Sequence, residues 1–373
     1  MPFQLSSDVI YLNHAAVAPW PVETAEAVRD FAQENQTYGA THYPAWMVVE
    51  SELRELAAWL LNAPSPEAIA LLKSTSEALS VVARGLSWES GDNIVSFDDE
   101  FPSNRIAWES LAERGVEIRY VDLISADDPE QALFERCDER TRLITVSSVQ
   151  YANGFYCDLD KIGAFCQANG ILFCVDAIQS LGAIPFNVES CQADFVMADG
   201  HKWLMGPEGI AIFYCRPTLV EALELHQFGW HMVEKRGDYT QKKWKPASDA
   251  TRFECGSPNM LGIHALRASL QHIKDVGIDH IWQQIQENTQ CIINRVTENE
   301  GLELVSITEA NRRSGIVTFR PKPCDAESLY RNLMDQKVIC ALRGGGVRFS
   351  PHYYNTAEEI DRVFDLITQF INK

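Results

Sequence analysis

The sequence lacks the cysteine and histidine patterns of a metal site or a disulfide framework. None of its ten cysteines stands three positions from another, and its nine histidines show no metal-ligand spacing with them. Several cysteines, among them Cys174 and Cys215, lie in apolar runs, where cysteine behaves as a small hydrophobic residue. These patterns argue against zinc or any other bound metal and are typical of a reducing compartment.

Positive charge and long apolar runs are also scarce. Lys and Arg number 32 against 52 Asp and Glu, which gives a formal net charge of −20. Such a surface argues against nucleic acid and anionic membranes as partners. The first residues show no basic stretch followed by an apolar one, and no apolar run is long enough to span a bilayer. We therefore expect a cytoplasmic protein without a signal peptide or a membrane span.

Short apolar runs alternate with stretches of helical period through the middle of the chain. This alternation predicts an α/β fold with a mostly parallel, seven-stranded sheet that is covered on both faces. Too few residues separate the last two runs for a helical crossover, so one of these strands should be antiparallel. The strands are predicted at 68–72, 93–97, 117–121, 142–147, 171–176, 194–198 and 209–214.

The pattern changes after Pro258. A long helical pattern runs over 259–298, and shorter strands and helices follow it, as in a smaller α+β unit. The 373 residues exceed what a single core usually holds. We predict a large domain over 21–258, a small C-terminal domain over 259–373, and an N-terminal segment, 1–20, that packs near the small domain.

Lys202 and Asp176 stand at the ends of two predicted strands. Lys202 follows Gly-His just after the run 194–198, and Asp176 closes an earlier apolar run. Because open α/β sheets bind ligands beyond the carboxyl ends of their strands, both side chains can face one crevice. Pyridoxal phosphate requires such a pair: a lysine for the Schiff base and a carboxylate that keeps the pyridine nitrogen protonated. Taken singly, Asp176 is better explained as a helix cap and Lys202 as a solvated loop end; together they favour the cofactor.

Two further strand ends carry candidate cofactor contacts. Ser74, Thr75 and Ser76 open a helical pattern, and a helix N-terminus is a ready site for a phosphate. Ser74 and Glu77 equally match a capping box, which needs no ligand. Phe101 can stack on a flat ring or belong to the core.

Three other residues are candidates that a structural role can also explain. Arg348 leaves a glycine-rich turn, where it can offer its planar fork to a carboxylate or lie exposed on an edge strand. Ser257, before Pro258, matches a helix cap. His14 stands among small residues near the N-terminus, where a single histidine is more often structural.

Together these segments resemble the class V aminotransferase family. This family is a branch of the fold-type I pyridoxal-phosphate enzymes that includes cysteine desulfurases and kynureninase-like and isopenicillin-epimerase-like proteins. The resemblance covers nearly the whole chain in the family's order. Its markers are 12–16, Ser74 to Glu77, Glu100 to Asn104, 175–179, Gly200 to Trp203, 206–209, Phe253 to Asn259 and Arg348 to Thr356.

The resemblance implies a role for each matching residue. Lys202 looks like the Schiff-base lysine, Asp176 like the partner of the pyridine nitrogen, and Gln179 like the donor that faces the ring hydroxyl. Ser257 matches a residue that reaches the phosphate of a partner subunit, which implies a homodimer with shared sites. The implied cofactor-binding set is Ser74, Thr75, Ser76, Phe101, Asp176, Gln179, His201, Lys202 and Ser257.

Four residues are implied to contact the substrate: His14, Tyr151, Arg343 and Arg348. Among them, Arg348 resembles the arginine that holds the α-carboxylate of the amino acid.

The departures from the family pattern bear on the reaction. Phe101 stands where desulfurases stack a histidine, Asp199 replaces the usual phosphate-binding serine, and Tyr151 replaces an asparagine. The turn 344–347 is shorter than the loop that carries the nucleophilic cysteine of desulfurases. Cys340 lies in an apolar run, and we expect it to be buried and to form no persulfide.

The sequence thus predicts a homodimeric pyridoxal-phosphate enzyme that acts at Cα of a small amino acid. Transamination is the first choice. A cysteine- or selenocysteine-type C–S β-lyase without a persulfide cysteine is the second, and an amino-acid epimerase is the third. A regulatory protein that binds the cofactor without turnover is the alternative of another class, although it would not need Lys202.

Overall fold

The computed structural model describes residues 2–240 and 242–372. Within these ranges the chain forms ten α-helices and three sheets. The strands are β1 (Ile10–Tyr11), β2 (Ile69–Leu72), β3 (Asn93–Phe97), β4 (Glu117–Val121), β5 (Thr141–Ser147), β6 (Leu172–Asp176), β7 (Phe195–Asp199), β8 (Ala211–Cys215), β9 (Leu302–Leu304), β10 (Val317–Pro321), β11 (Val338–Ile339), β12 (Ala341–Arg343) and β13 (Gly346–Phe349). The helices are α1 (Val22–Tyr38), α2 (Tyr43–Leu61), α3 (Thr75–Gly85), α4 (Ser103–Glu109), α5 (Pro129–Glu135), α6 (Leu159–Asn169), α7 (Met260–Val276), α8 (Ile278–Glu298), α9 (Ala326–Asp335) and α10 (Ala357–Ile371).

The central sheet has seven strands in the order β2-β8-β7-β6-β5-β3-β4. Strands β3 to β7 pair in parallel, whereas β8 is antiparallel to both β7 and β2. The prediction of a mostly parallel α/β sheet with one antiparallel strand is therefore confirmed. The short β7–β8 connection explains the reversal, because it leaves no room for a helical crossover.

Both faces of this sheet are covered. Phe173 and Val175 of β6 belong to a cluster shared with α2, α6 and α7, whereas Cys174, between them, packs with α3 on the other face. Successive side chains of a strand point to opposite faces, so a doubly covered sheet needs strands that are apolar throughout. The continuous apolar runs of the sequence follow from this requirement.

The C-terminal part contains an antiparallel sheet in the order β12-β13-β10-β9, packed against α8, α9 and α10. The strand β1 pairs with β11, so the N-terminal segment lies beside this part. The long helical pattern over 259–298 forms two helices, α7 and α8. Gly277, with φ of 89°, separates α7 from α8, and that backbone region favours glycine.

No helix in the described ranges is long and apolar enough to cross a membrane.

Candidate active site

Lys202 and Asp176 lie together beyond the carboxyl ends of β6 and β7. Lys202 is 8% exposed and Asp176 is 1% exposed. The Lys202 Nζ atom lies 5.4 Å from the centroid of the Phe101 ring. The Asp176 carboxylate accepts a hydrogen bond of 3.0 Å from the backbone N–H of Ile178. The structure thus places the predicted lysine and carboxylate in one crevice, with the exposed Phe101 ring close to the lysine.

The two charged groups of this crevice perturb each other. Burial raises the pKa of Asp176, and the nearby carboxylates of Glu100 and Asp199 raise it further, while the Ile178 N–H and Lys202 oppose them. Burial lowers the pKa of Lys202, against the attraction of Asp176. A positive charge next to Asp176 would keep this carboxylate ionised, and a lowered pKa favours the neutral amine that lysine needs as a nucleophile.

The N-terminus of α3 forms a polar cradle near Lys202. Three buried atoms there have no hydrogen-bond partner among the described residues: Thr75 Oγ1, Asp199 Oδ1 and His201 Nδ1. Buried polar atoms are rarely left unpaired unless a ligand or water completes them. A phosphate at this helix N-terminus would satisfy the Thr75 hydroxyl and the imidazole, so this cradle fits the phosphate of the predicted cofactor.

The two serines next to Thr75 have partners of their own. Ser74 caps α3, because its Oγ accepts a hydrogen bond of 3.2 Å from the Glu77 backbone N–H. Ser76 Oγ contacts Ser103 Oγ at 2.8 Å on the surface side. Cap and ligand roles are compatible in Ser74, and phosphate binding by either serine stays a prediction.

Gln179 forms hydrogen bonds to the N-terminal segment and to the residue that follows Lys202. Its Nε2 donates to the carbonyl of Ala15 at 3.0 Å, and its Oε1 accepts from Trp203 Nε1 at 2.9 Å. One N–H of the amide remains for the predicted contact to the ring hydroxyl.

Arg348 is a buried cation without a carboxylate partner in the described ranges. It lies on β13, is 2% exposed, and donates from one terminal nitrogen to the carbonyl of Tyr151 at 2.7 Å. Its Nε is buried and unpaired among these residues. Burial and the charge of Arg343 lower the pKa of Arg348 to about 10. Such a site is suited to the carboxylate of a substrate, because the anion would compensate the buried charge.

Of the other residues predicted to contact the substrate, Tyr151 lies beside Phe101, whereas Arg343 lies on the surface. The Tyr151 ring packs edge-on against Phe101 at 5.2 Å between centroids. Arg343 is exposed on β12, and its guanidinium bonds the carbonyl of the preceding residue. The charge of Arg343 nevertheless lowers the pKa of both Lys202 and Arg348.

His14 has both ring nitrogens bonded within the protein. Nδ1 lies 2.8 Å from the carbonyl of Ser350 and Nε2 lies 2.7 Å from the hydroxyl of Tyr354. Burial lowers the pKa of His14 to about 4, so the ring is neutral, with Nδ1 as the donor to the carbonyl. His14 thus connects the N-terminal segment to the C-terminal part, and its contact with a substrate stays a prediction.

Ser257 is exposed and accepts a hydrogen bond of 3.3 Å from Trp230 Nε1. Its position leaves it accessible to a second chain, as the predicted shared site requires.

Cys340 is buried between β11 and β12. It is 2% exposed, and burial raises the pKa of its thiol to about 12. The β12–β13 hairpin turns tightly at Gly344 and Gly345, both with positive φ, and a Cβ on Gly344 would lie 2.9 Å from the Ala152 carbonyl. The thiol is therefore protonated at neutral pH and is held in a strand-bound segment.

Sequence reasoning missed the role of Glu100. This carboxylate is 4% exposed and accepts four hydrogen bonds. The donors are Ser147 N at 2.7 Å, Ser147 Oγ at 2.5 Å, Gln150 Nε2 at 2.8 Å and Asn104 Nδ2 at 2.9 Å. Because Ser147 lies beside Asp176 in the sheet, Glu100 connects the Phe101 loop to the floor of the crevice. A glutamate before an aromatic residue gives no signal of such a network.

A second buried network lies on α2. Arg54 bonds Glu50 at 2.7 Å and Glu254 at 2.5 and 2.7 Å, and Arg236 lies 2.6 Å from His231 Nε2. Glu50, His231 and Glu254 are close enough to ligate a metal ion. The arginines already neutralise both carboxylates, so the cluster is a buried ion network. Its signal in the sequence is limited to the Glu50–Arg54 spacing on one helix face.

Comparisons with known proteins agree with this geometry. The model of the family "Aminotransferase class-V" matches residues 10–363. A probable cysteine desulfurase of Methanothermobacter thermautotrophicus is 31% identical, over 95% of this chain and 93% of that protein. The uncharacterized aminotransferase YcbU of Bacillus subtilis is 28% identical, over 92% of this chain and 89% of that protein.

A solved structure shows the same fold. The apo cysteine desulfurase of Thermococcus onnurineus NA1 superposes with a TM-score of 0.89 and is 25% identical, and the alignment covers 98% of this chain and 95% of that one. The predicted fold-type I architecture is therefore confirmed. The chain belongs to the class V aminotransferase family and is a pyridoxal-phosphate-dependent enzyme.

Proposed function

We propose that this enzyme is a C–S β-lyase that acts on cysteine or a closely related small amino acid and releases the sulfur without an enzyme persulfide. A relative of similar length is named as a probable cysteine desulfurase, which favours a sulfur-containing substrate. The observation that carries the choice within this chemistry is the burial of Cys340 beside the tight β12–β13 hairpin. The sequence alone favoured transamination; here β-elimination is the first choice and transamination the second.

The residues of the crevice fit the cofactor. Lys202 would hold it covalently, Asp176 would face its pyridine nitrogen, and Phe101 would cover the ring. Thr75 and His201 would bind its phosphate, because their buried polar atoms are otherwise unpaired among the described residues. When bound, pyridoxal phosphate withdraws electrons from Cα of the amino acid, which acidifies the Cα–H bond and allows a group on Cβ to leave.

The protein's own groups would orient the amino acid and move its proton. Arg348 would bind the α-carboxylate and thereby compensate its buried charge. Lys202 Nζ would accept the Cα proton, which its lowered pKa favours. The Cβ–S bond then breaks, and the sulfur takes both bonding electrons and leaves as sulfide. With cysteine and one water, the products are pyruvate, ammonia and sulfide.

Product analysis separates the candidate reactions. The purified enzyme with cysteine and no thiol acceptor should give pyruvate and sulfide in equal amounts. Cys340→Ser should keep this activity, and Lys202→Ala should lose it. Alanine as the main product, together with loss of activity in Cys340→Ser, would contradict the proposal and indicate a desulfurase.

Transamination is the second candidate, because the relative YcbU is named an aminotransferase and matches most of this chain. Its signature is a strict requirement for a keto acid, with one new amino acid formed per amino acid consumed. Such a requirement, without sulfide or pyruvate from cysteine, would favour transamination over the lyase.

We also propose a homodimer in which Ser257 reaches the cofactor phosphate of the partner subunit. Its exposure in the single chain supports this proposal. Mixed dimers of Lys202→Ala and Ser257→Asp chains should recover activity, because one of their two sites combines an intact lysine with an intact serine. Mixed dimers that form but stay inactive would contradict shared sites.

A further inference from the structure

An acidic side chain lies inside the polar cradle at the N-terminus of α3. Asp199 Oδ2 is 3.9 Å from His201 Nδ1, and the backbone N–H of Thr75 is directed at this carboxylate and lowers its pKa. Asp199 Oδ1, His201 Nδ1 and Thr75 Oγ1 have no hydrogen-bond partners in the part of the chain that the structure describes. Thr75 is 2% exposed, so its hydroxyl lies at the bottom of the cradle.

A phosphate in this cradle would meet the Asp199 carboxylate at close range. Two negative charges within contact distance repel each other strongly in a partly buried site, because the effective dielectric constant there is well below that of water. A proton on Asp199 removes this repulsion and provides an O–H donor for a phosphate oxygen, which is a short, charge-assisted hydrogen bond. The protonated form therefore binds the phosphate and the ionised form opposes it.

We propose that Asp199 binds the cofactor phosphate in its protonated form, so that loading of the cofactor takes up one proton from the solvent. This inference rests on the proposed function, which places the phosphate in this cradle. It gives Asp199 a binding role that differs from that of a serine, because a serine hydroxyl donates at every physiological pH.

The charges around Asp199 are consistent with this proton. The pKa of Asp199 is raised to about 6, chiefly by burial and slightly by Glu208, while the Thr75 N–H and Lys202 oppose this increase. Burial and Lys202 lower the pKa of His201 to about 4, so the imidazole is neutral and does not supply a compensating charge. Asp199 also acts on Asp176, whose pKa it raises.

The sign of the pH dependence follows from these directions. Without cofactor, Asp199 is ionised above about pH 6, whereas a bound phosphate raises its pKa further. Affinity is then greatest below about pH 6 and falls with rising pH, by up to about tenfold per pH unit, until the pKa of the bound state is passed.

The test uses the full chain freed of cofactor and pyridoxamine 5'-phosphate, which has no aldehyde and cannot react with Lys202. Dissociation constants are measured by equilibrium dialysis from about pH 5.5 to about pH 8.5. The dissociation constant of the wild type, divided by that of Asp199→Asn, should rise by up to about tenfold per pH unit above pH 6. The control Glu208→Gln, which removes an exposed charge beside the same pair, should keep the wild-type slope. A ratio that stays constant with pH would overturn the inference.

If Asp199→Asn does not fold, calorimetry on the wild type tests whether a proton is taken up on binding. Titrations at about pH 7.5 in two buffers with different enthalpies of ionisation should show uptake of about one proton per ligand bound. Binding without proton uptake would overturn the inference and leave the proposed function intact. Absence of binding would overturn both.

Discussion

Replacement of Arg348 by methionine should stabilise the substrate-free enzyme and abolish substrate binding. Arg348 is 2% exposed, and burial, together with the charge of Arg343, lowers its pKa from the ordinary range of arginine to about 10. At roughly 1.4 kcal/mol per pKa unit, the buried charge costs about 3 kcal/mol near neutral pH. Methionine fills a similar volume without a charge but leaves the Tyr151 carbonyl unpaired, which costs about 1 kcal/mol. The expected net gain in the free energy of unfolding is about 2 kcal/mol.

The pH dependence of this gain has a definite sign. The folded pKa of Arg348 lies below the unfolded value, so the charge destabilises the fold at every pH below about 10. Above that pH the unfolded state binds more protons than the folded state, and the wild type regains stability. The advantage of Arg348→Met should therefore shrink as the pH rises through about 10.

Urea denaturation of the cofactor-loaded proteins, without amino acid, measures this difference. Arg320→Met on the neighbouring strand β10 is the matched control. Arg320 is exposed and pairs with Glu303, so its loss should leave the free energy of unfolding nearly unchanged, because solvent screens such a pair. An Arg348→Met protein that is less stable than wild type, or that still binds amino acids normally, would refute the reasoning.

Three further substitutions test the crevice and the network on α2. Glu100→Gln should lower the free energy of unfolding by about 1–3 kcal/mol, because the NH₂ group of the new amide would face the Asn104 NH₂ group, which now donates a hydrogen bond to the carboxylate. An unchanged midpoint of urea denaturation would contradict this role. Asp176→Asn should keep the fold and slow turnover by up to about 10⁴-fold, by analogy with the carboxylate-to-amide change in a catalytic triad, and turnover within a few-fold of wild type would contradict it. Glu254→Ala should cost about 3–5 kcal/mol, because it leaves the Arg54 guanidinium buried with one carboxylate fewer. An unfolding free energy within about 1 kcal/mol of wild type would mean that water or Glu50 compensates the charge.

The sequence was sufficient to predict the central sheet. Each of its seven strands was located within a few residues, because strands that are buried on both faces are apolar throughout. The antiparallel strand followed from the length of one connection. The break at Gly277 was missed, because the apolar period continues across it and one glycine within a helical pattern is not decisive.

The crevice was predictable only where a residue type is tied to one chemistry. A lysine and an aspartate at adjacent strand ends were enough to predict that Lys202 and Asp176 lie in one crevice and contact the cofactor. Gln150, which donates to Glu100, and Glu254, which accepts from Arg54, come from segments about 50 and 200 residues away, and only the fold brings these pairs together. His14 illustrates the same limit, since its two partners lie near the opposite end of the chain.

We expect Lys202 to be the residue that carries pyridoxal phosphate. Reduction of the purified enzyme with borohydride, followed by proteolysis and mass spectrometry, would fix the cofactor to the lysine that holds it. A phosphopyridoxyl group should be found on the peptide that contains Lys202, and none should be found in Lys202→Ala. A reduced adduct on another lysine, with Lys202 unmodified, would contradict it.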